Sequence, residues 1–261
     1  MLIVGERINS SRQRIAEAIR ARDGETVAQE ARLQSEAGAQ MLDVNAGASL
    51  EREPDDLVWL VETVQQAVGL PLCLDSPRPE ALRRAVEAHR GTPMVNSITG
   101  EEARLEVVLP VVAESGASVV ALAMDEAGMP RSAEHRVGVA AKIAERATDA
   151  GVGLARIYFD PVISTLATDH TQGEEILQAV GRIRSEFPEA HVICGLSNIS
   201  FGLPGRRLLN HTFLAMLMAA GLDAVIADPT TEGFPELVAT AEALLGRDEF
   251  CMNYISHRRR G

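Results

Sequence analysis

The chain has 261 residues, 46% apolar, 24% charged and 3% aromatic, with a formal net charge of −12. This length suits one barrel or two small domains, and the scarcity of aromatics implies a core of Ala, Val, Leu and Ile. The acidic balance disfavours a nucleic-acid partner, whose phosphates require a basic face, and no apolar run approaches the ~20 residues that span a bilayer.

The N-terminus, Met1-Leu2-Ile3-Val4-Gly5-Glu6-Arg7, sets an acid and a base straight after an apolar start, which is not a signal peptide pattern. From there, short apolar runs alternate with segments of helical period. The expected strands are 2–7, 40–45, 71–76, 93–97, 118–124, 157–161, 191–198 and 223–228. The expected helices are 23–37, 54–68, 79–89, 101–115, 133–150, 173–187, 207–220 and 234–245. Pro54 and Pro79 open helices, and Gly38, Gly116, Gly151 and Gly221 close them. Cys73, Cys194 and Cys251 have no CxxC spacing, and two fall in expected strands, so reduced thiols in a cytoplasmic protein are expected. The terminal Arg258-Arg259-Arg260 is too short for an electrostatic footprint and reads as solvated.

Strands buried on both faces and alternating with helices indicate a parallel sheet. The number of units fits a single-domain α/β (β/α)8 TIM barrel over residues 1–261. An open doubly wound sheet would show a glycine-rich phosphate loop after its first strand, and Gly5-Glu6-Arg7-Ile8-Asn9 is not one.

A barrel of this kind gathers its functional groups at the C-terminal ends of its strands. Those positions hold Glu6, Asn9, Asp43, Asn45, Asp75, Asn96, Met124, Asp125, Asp160, Asn198 and Asp228. They are mostly carboxylates and amides, with no histidine, cysteine or lysine among them. The six histidines lack zinc-ligand spacing, so no metal site is expected. The single lysine, Lys142, falls mid-helix, which argues against Schiff-base chemistry. Carboxylates accept from paired N–H donors, and asparagines donate and accept together, so such a rim suits a flat heterocycle with amino, ring N–H and carbonyl edges, as a pterin has.

Six fragments carry a family resemblance: Gly5-Glu6-Arg7-Ile8-Asn9, Leu42-Asp43-Val44-Asn45, Cys73-Leu74-Asp75-Ser76, Val95-Asn96-Ser97, Phe159-Asp160-Pro161 and Gly195-Leu196-Ser197-Asn198. In this order, over residues 1 to about 254, the chain resembles the pterin-binding methyltransferases, and within them the methyltetrahydrofolate:corrinoid protein methyltransferases. The resemblance implies that methyltetrahydrofolate or tetrahydrofolate is the substrate and that Asp75, Asn96 and Asp160 hydrogen-bond the pterin. It implies Asn198 beside N5, with Asn198 and Asp160 as the catalytic groups. Asp43, Asn45, Glu6, Ser197 and Arg206 complete the expected binding set. An amine is a poor leaving group, so N5 must gain proton character as its bond to methyl breaks. An amide can accept from N5–H⁺ or donate to N5, and so can favour the transition state.

Dihydropteroate synthases share the fold and pocket, and that family is expected to place a lysine and an arginine near the seventh and eighth strands. Here the seventh ends in Ser197-Asn198 with no lysine in reach, which favours methyl transfer over condensation. A cobalamin module would show Asp-x-His-x-x-Gly, but Ala133 precedes His135 and Thr168 precedes His170 where the Asp would stand. The cobalamin is therefore expected on a separate corrinoid protein docking over the barrel mouth, with the loop 201–207 flanking it. Helix segment 212–220 is apolar nearly all round and is expected to be covered by the C-terminal segment or by a second subunit of a homodimer. The rival readings are a dihydropteroate synthase-like condensing enzyme and a non-catalytic pterin-binding subunit.

Overall fold

The computed structural model describes residues 1–49 and 51–260, the side chains of Arg258 and Arg260 excepted. Among them eight strands form one sheet: β1 (Leu2–Asn9), β2 (Met41–Asn45), β3 (Leu72–Asp75), β4 (Met94–Thr99), β5 (Ser118–Leu122), β6 (Ile157–Asp160), β7 (His191–Val192) and β8 (Ala224–Ala227). Their order is β7-β6-β5-β4-β3-β2-β1-β8, every pair parallel. The ring closes where the Asp223 N–H donates to the Val192 carbonyl at 3.2 Å and the Ile226 N–H to the Cys194 carbonyl at 2.9 Å. The fold is the expected single-domain (β/α)8 barrel.

The outer layer comprises α1 (Gln13–Ala21), α2 (Gly24–Glu36), α3 (Glu53–Ala67), α4 (Pro79–Ala88), α5 (Glu102–Ser115), α6 (Ala133–Asp149), α7 (Gln172–Glu186), α8 (Arg206–Ala220), α9 (Phe234–Leu244) and α10 (Met252–Arg260). Local chemistry sets their ends. The Asp23 carboxylate caps α2 by accepting from the Thr26 N–H at 3.2 Å, and Pro54 and Pro79 sit in first turns where an N–H would be unpaired. At the end of α8, Gly221 has φ +119°, and a Cβ there would lie 2.9 Å from Arg184 Cγ, so both conformation and space call for glycine. The sequence reading missed α1 and α10. The apolar stripe of α1 is only Ile15, Ala18 and Ile19, set among arginines. Helix α10 packs along α9, and of the terminal arginine cluster only exposed Arg259 lies within the described side chains.

Strand alternation explains the site. Side chains two apart share a face, and the cluster enclosed by the strands contains Val4, Met41, Cys73, Met94, Tyr158 and Ile226. Two residues further along each strand stand Glu6, Asp43, Asp75, Asn96, Asp160 and Asp228. An apolar plug thus fills the barrel and a polar tier caps it at the C-terminal ends. The strands' other faces meet the helices through Leu42, Val44, Leu74, Val95, Val119 and Phe159, all fully buried. Each such aliphatic contributes about 1.5–3 kcal/mol by leaving water.

The seventh strand differs from expectation. Its ladder stops at Val192, residues 193–195 complete the ring through single contacts, and Leu196–Ser200 coil into a 3₁₀ turn. Asn198 therefore rides on a turn and not on a strand end. The cause lies in the following helix: Arg206 Nη2 donates to the Ser197 carbonyl at 2.9 Å and its Nε to Ser200 Oγ at 3.0 Å, drawing the backbone into a coil.

Candidate functional site

Three carboxylates and an amide form the polar tier over β2, β3, β4 and β6. Asp75 ends β3 in register with Asn96 on β4. The Asn45 amide donates to Asp75 Oδ2 at 3.0 Å, while Asn45 Oδ1 accepts from Ser10 Oγ at 2.8 Å and from the Gly47 N–H at 3.1 Å, which fixes which way the amide faces. Asn45 thereby orients Asp75. Asn96 Nδ2 donates to Asp43 Oδ1 at 3.2 Å. Asp43 itself is 3% exposed and stands in front of the buried Cys73 thiol, so it supports Asn96 from below. Asp160, 7% exposed at the end of β6, accepts from the Val162 N–H at 2.7 Å.

Burial dominates the electrostatics of this tier. It lifts the Asp160 carboxyl to about 6, against the opposing pull of the Val162 and Gly195 N–H groups and the Arg136 charge. Burial likewise lifts Asp75 to about 6, with the hydrogen bond from Asn45 pulling it down and the Glu53 charge pushing it up. Asp43 is raised well above the carboxylate range, by burial first and the neighbouring Asp75 charge second. Asp75 and Asp160, two groups poised near neutrality, can both accept from N–H donors and exchange protons with them.

The opposite side of the mouth is built from β1, β7 and β8. Ser197 Oγ donates to Glu6 Oε1 at 3.0 Å, and burial raises the Glu6 carboxyl more than that hydrogen bond lowers it. Arg7 bridges Glu30 and Asp228, the latter at 2.8 Å, and its N–H is taken by Gln34 Oε1 at 3.0 Å. Gly5 makes this possible, since a Cβ there would lie 2.4 Å from the same Gln34 oxygen. Asn198 is exposed, and its amide makes no hydrogen bond among the described residues. It borders a cavity of about 580 Å³ between the loops after β5, β6 and β7, whose wall includes Met129, Arg131, Ile163, Thr165, Gln172 and Phe201.

The sequence-derived set thus divides. Asp75, Asn96 and Asp160 stand on the rim, Asn45 and Asp43 hold two of them from behind, and Glu6 and Ser197 pair with each other. Arg206, expected against the folate tail or a partner, spends its donors on the Asn198 turn. Arg207 pairs with Glu232. Lys142 bridges Glu102 and Glu126 on the outer surface.

Two arginines were not foreseen. Arg104, in the first turn of α5, donates to the carbonyls of Ser76, Pro77 and Ser97, tying together the turns that follow Asp75 and Asn96. Arg136, in the first turn of α6 and fully buried, donates to the carbonyls of Pro161 and Val162 beyond Asp160. The sequence held a signal for both: the macrodipole disfavours a cation at a helix N-terminus, so an arginine there has some other purpose. Glu53 was missed as well. It is 0% exposed and accepts from Ser76 Oγ at 2.5 Å, which anchors the turn after Asp75.

A (β/α)8 barrel with a ring of buried carboxylates and amides at its C-terminal mouth, and no lysine there, defines a class that grips a nitrogen heterocycle by hydrogen bonds. A family model described as pterin binding enzyme matches residues 5–228, and the chain belongs to that family. It is 35% identical over 263 residues to the methylcorrinoid:tetrahydrofolate methyltransferase of Eubacterium limosum, spanning 100% of this chain and 97% of the relative. It is 32% identical over 239 residues to the methionine synthase of Mycobacterium tuberculosis, a match that takes in 87% of this chain and 20% of that larger protein. Dihydropteroate synthases share the architecture. The Xanthomonas albilineans enzyme in complex with 7,8-dihydropteroate superposes with a TM-score of 0.75 at 20% identity, over 94% of this chain and 93% of that one. The Yersinia pestis enzyme with a pterine-sulfa conjugate gives 0.71 at 17% over the same shares. At such identities the likeness is one of fold.

Proposed function

We propose that this protein is a methyltransferase that moves a methyl group between N5 of methyltetrahydrofolate and the cobalt of a corrinoid carried on a separate protein. The observation that carries the reading is the pairing of a satisfied, buried acceptor tier with one exposed amide, Asn198, whose hydrogen-bonding capacity is unspent at the mouth. The full-length similarity to a relative named for methyl transfer between a corrinoid and tetrahydrofolate supports it.

Asp75, Asn96 and Asp160 take the donors and acceptors of the pterin edge, with Asn45 and Asp43 holding them in place. Asp75 and Asp160, raised to about 6, are mostly ionised at pH 7 and accept from ring and amino N–H groups. Asn198 on its 3₁₀ turn stands at N5 and tightens its hydrogen bond as proton character develops there. The exposed side chains of Phe201 and Met129 flank the adjoining cavity and suit the docking of a corrinoid protein over the mouth. An apolar cleft of about 360 Å³ between α7 and α8, lined by Leu166, Leu177, Ile199, Leu209, Phe213 and Met216, supports a homodimer contact on the outer wall. Among the described residues no helix is long and apolar enough to cross a membrane.

The test is direct. Purified protein mixed with methyltetrahydrofolate and free cob(I)alamin is expected to convert the cob(I)alamin spectrum to that of methylcobalamin, and calorimetry is expected to register folate binding. Neither binding nor transfer, with free cobalamin or with a corrinoid protein, would overturn the reading. Pyrophosphate release from a pterin diphosphate would favour a condensing enzyme.

A further inference from the structure

Val162 has φ +57°, a left-handed conformation in a β-branched residue, where Cβ crowds the backbone. It stands two residues beyond Asp160, and its N–H in that conformation reaches Asp160 Oδ1 at 2.7 Å. A strained turn persists only where its surroundings over-determine it, and here a second side chain holds it from the other side. Arg136 reaches from the first turn of α6, with Nε 2.6 Å from the Pro161 carbonyl and Nη2 3.3 Å from the Val162 carbonyl. Nη2 also donates at 2.8 Å to Gln172 Oε1, and Gln172 Nε2 is fixed by the Arg131 carbonyl and Asp169 Oδ2, each at 3.0 Å.

The guanidinium is 0% exposed, all the acceptors it donates to are uncharged, and Nη1 has no partner among the described residues. Neutral carbonyls could be bound as well by an uncharged donor. A full charge kept buried without a carboxylate hydrogen-bonded to it is costly unless its field is used.

We propose that Arg136 is a positioning residue of the substrate site: it clamps the Pro161–Val162 turn so that the Val162 N–H holds the Asp160 carboxylate in its pterin-binding orientation, with its buried charge facing that carboxylate. The proposal rests on the pterin-binding reading given above. The charged and titratable groups around this pair are few. Arg136 faces Asp160 from α6, Glu175 faces Arg136 from α7, and the Cys194 thiol beside Asp160 in the ring is pushed up by burial and stays neutral. From β5 and the segment after it only the Ala123 N–H meets Asp160, at its backbone carbonyl.

Tetrahydrofolate affinity measured by calorimetry from pH 5.5 to 8.5 tests this on the wild type, Arg136→Met, Val162→Gly and the double variant. Wild-type affinity is expected to fall on the acid side as Asp160 and Asp75 take protons, and only the Asp160 part should respond to Arg136. In Arg136→Met the positive charge is gone, so Asp160 binds its proton more readily. The acid limb is expected to move up in pH, and for a shift of about one unit from a group at about 6 the affinity at pH 6 weakens roughly fivefold. KM for the folate should rise with it more than kcat falls. Adding Val162→Gly lets the turn form without a Cβ in the left-handed region, so the double variant should regain affinity at pH 8 while keeping the displaced limb. A role in folding alone would move neither limb nor rescue.

An Arg136→Met limb that coincides with the wild type's overturns the proposal and leaves the methyltransferase reading standing. A wild type that binds no folate at any pH overturns that reading and this one with it. If Arg136→Met does not fold, Arg136→Gln, uncharged but still a donor, is read in the same way. If neither folds while Val162→Gly does, Arg136 is structural and the proposal falls.

Discussion

Asp160→Asn should make the unliganded protein more stable while removing its grip on the pterin. The Asp160 carboxyl sits at about 6 in the fold against an ordinary 3.8. For an acid whose value is raised, the neutral form is the one the fold favours. Its contribution is complete below about pH 4 and is lost as pH rises through 6, when a charge must be held in the interior. The difference is about 2 pH units, and at 1.36 kcal/mol per unit the ionised group costs up to about 3 kcal/mol at pH 8. Asparagine has the same shape, and its oxygen still accepts the Val162 N–H, but its amide cannot accept from the Gly195 N–H, so part of the gain is forfeited. A net gain of about 1–3 kcal/mol corresponds, for a chain of this size, to a rise in Tm of roughly 2–12 °C. Thermal melts of wild type and variant at pH 3.5, 5 and 8 check this: the curves should lie closest at the lowest pH, separate between about pH 4 and 6, and keep a constant gap above that. Over the same range, tetrahydrofolate affinity at pH 8 should fall roughly 10–100-fold with the loss of a charged acceptor. A variant less stable than wild type at pH 8, or a difference that does not change with pH, would refute the account of Asp160 as a buried charge held for binding.

Asn198→Ala is expected to lower kcat by a barrier of ~2–3 kcal/mol, on the scale of a lost transition-state hydrogen bond, with folate affinity nearly unchanged. Equal losses in both, separated by calorimetry and steady-state kinetics, would make the amide a binding group only. Thiol titration of the native protein should find one fast-reacting cysteine, exposed Cys251, with Cys73 and Cys194 reacting only after unfolding because both are buried and their thiols are pushed up by burial. Light scattering at micromolar concentration should give the mass of two chains, and Met216→Glu, in the cleft between α7 and α8, should give the mass of one. A wild-type monomer would dismiss the homodimer.

The fold and the rim were legible because they rest on short-range periodicity. Alternation along each strand, together with the rule that barrels work at their C-terminal ends, puts Asp75, Asn96 and Asp160 on the rim from sequence alone. The same alternation misled at residues 193–198. There the apolar run continues past the last ladder pair, and what bends the chain is a side chain 6 to 9 residues on, Arg206, acting on Ser197 and Ser200. Distinguishing Asp43 and Asn45 from true rim groups needed geometry, since sequence cannot tell a side chain that meets the ligand from one that holds its neighbour. Arg104 and Arg136 were hidden for another reason. Most of their acceptors are backbone carbonyls, which leave no mark in the sequence, and the visible trace was only a cation placed where a helix dipole disfavours it.

These clamps explain how the barrel can keep several acids so close together. Asp43, Asp75, Asp160 and Glu6 are all raised by burial, and no lysine stands among them. A cation placed directly on the rim would lower those values, but it would also occupy the acceptor oxygens that a pterin must reach. Arginines set behind the turns avoid the conflict, since they bond only to carbonyl oxygens while their charge still acts on the carboxylates through the interior. Asp75 and Asp160 stay poised near neutrality. Both can therefore accept from an N–H donor and exchange a proton with it.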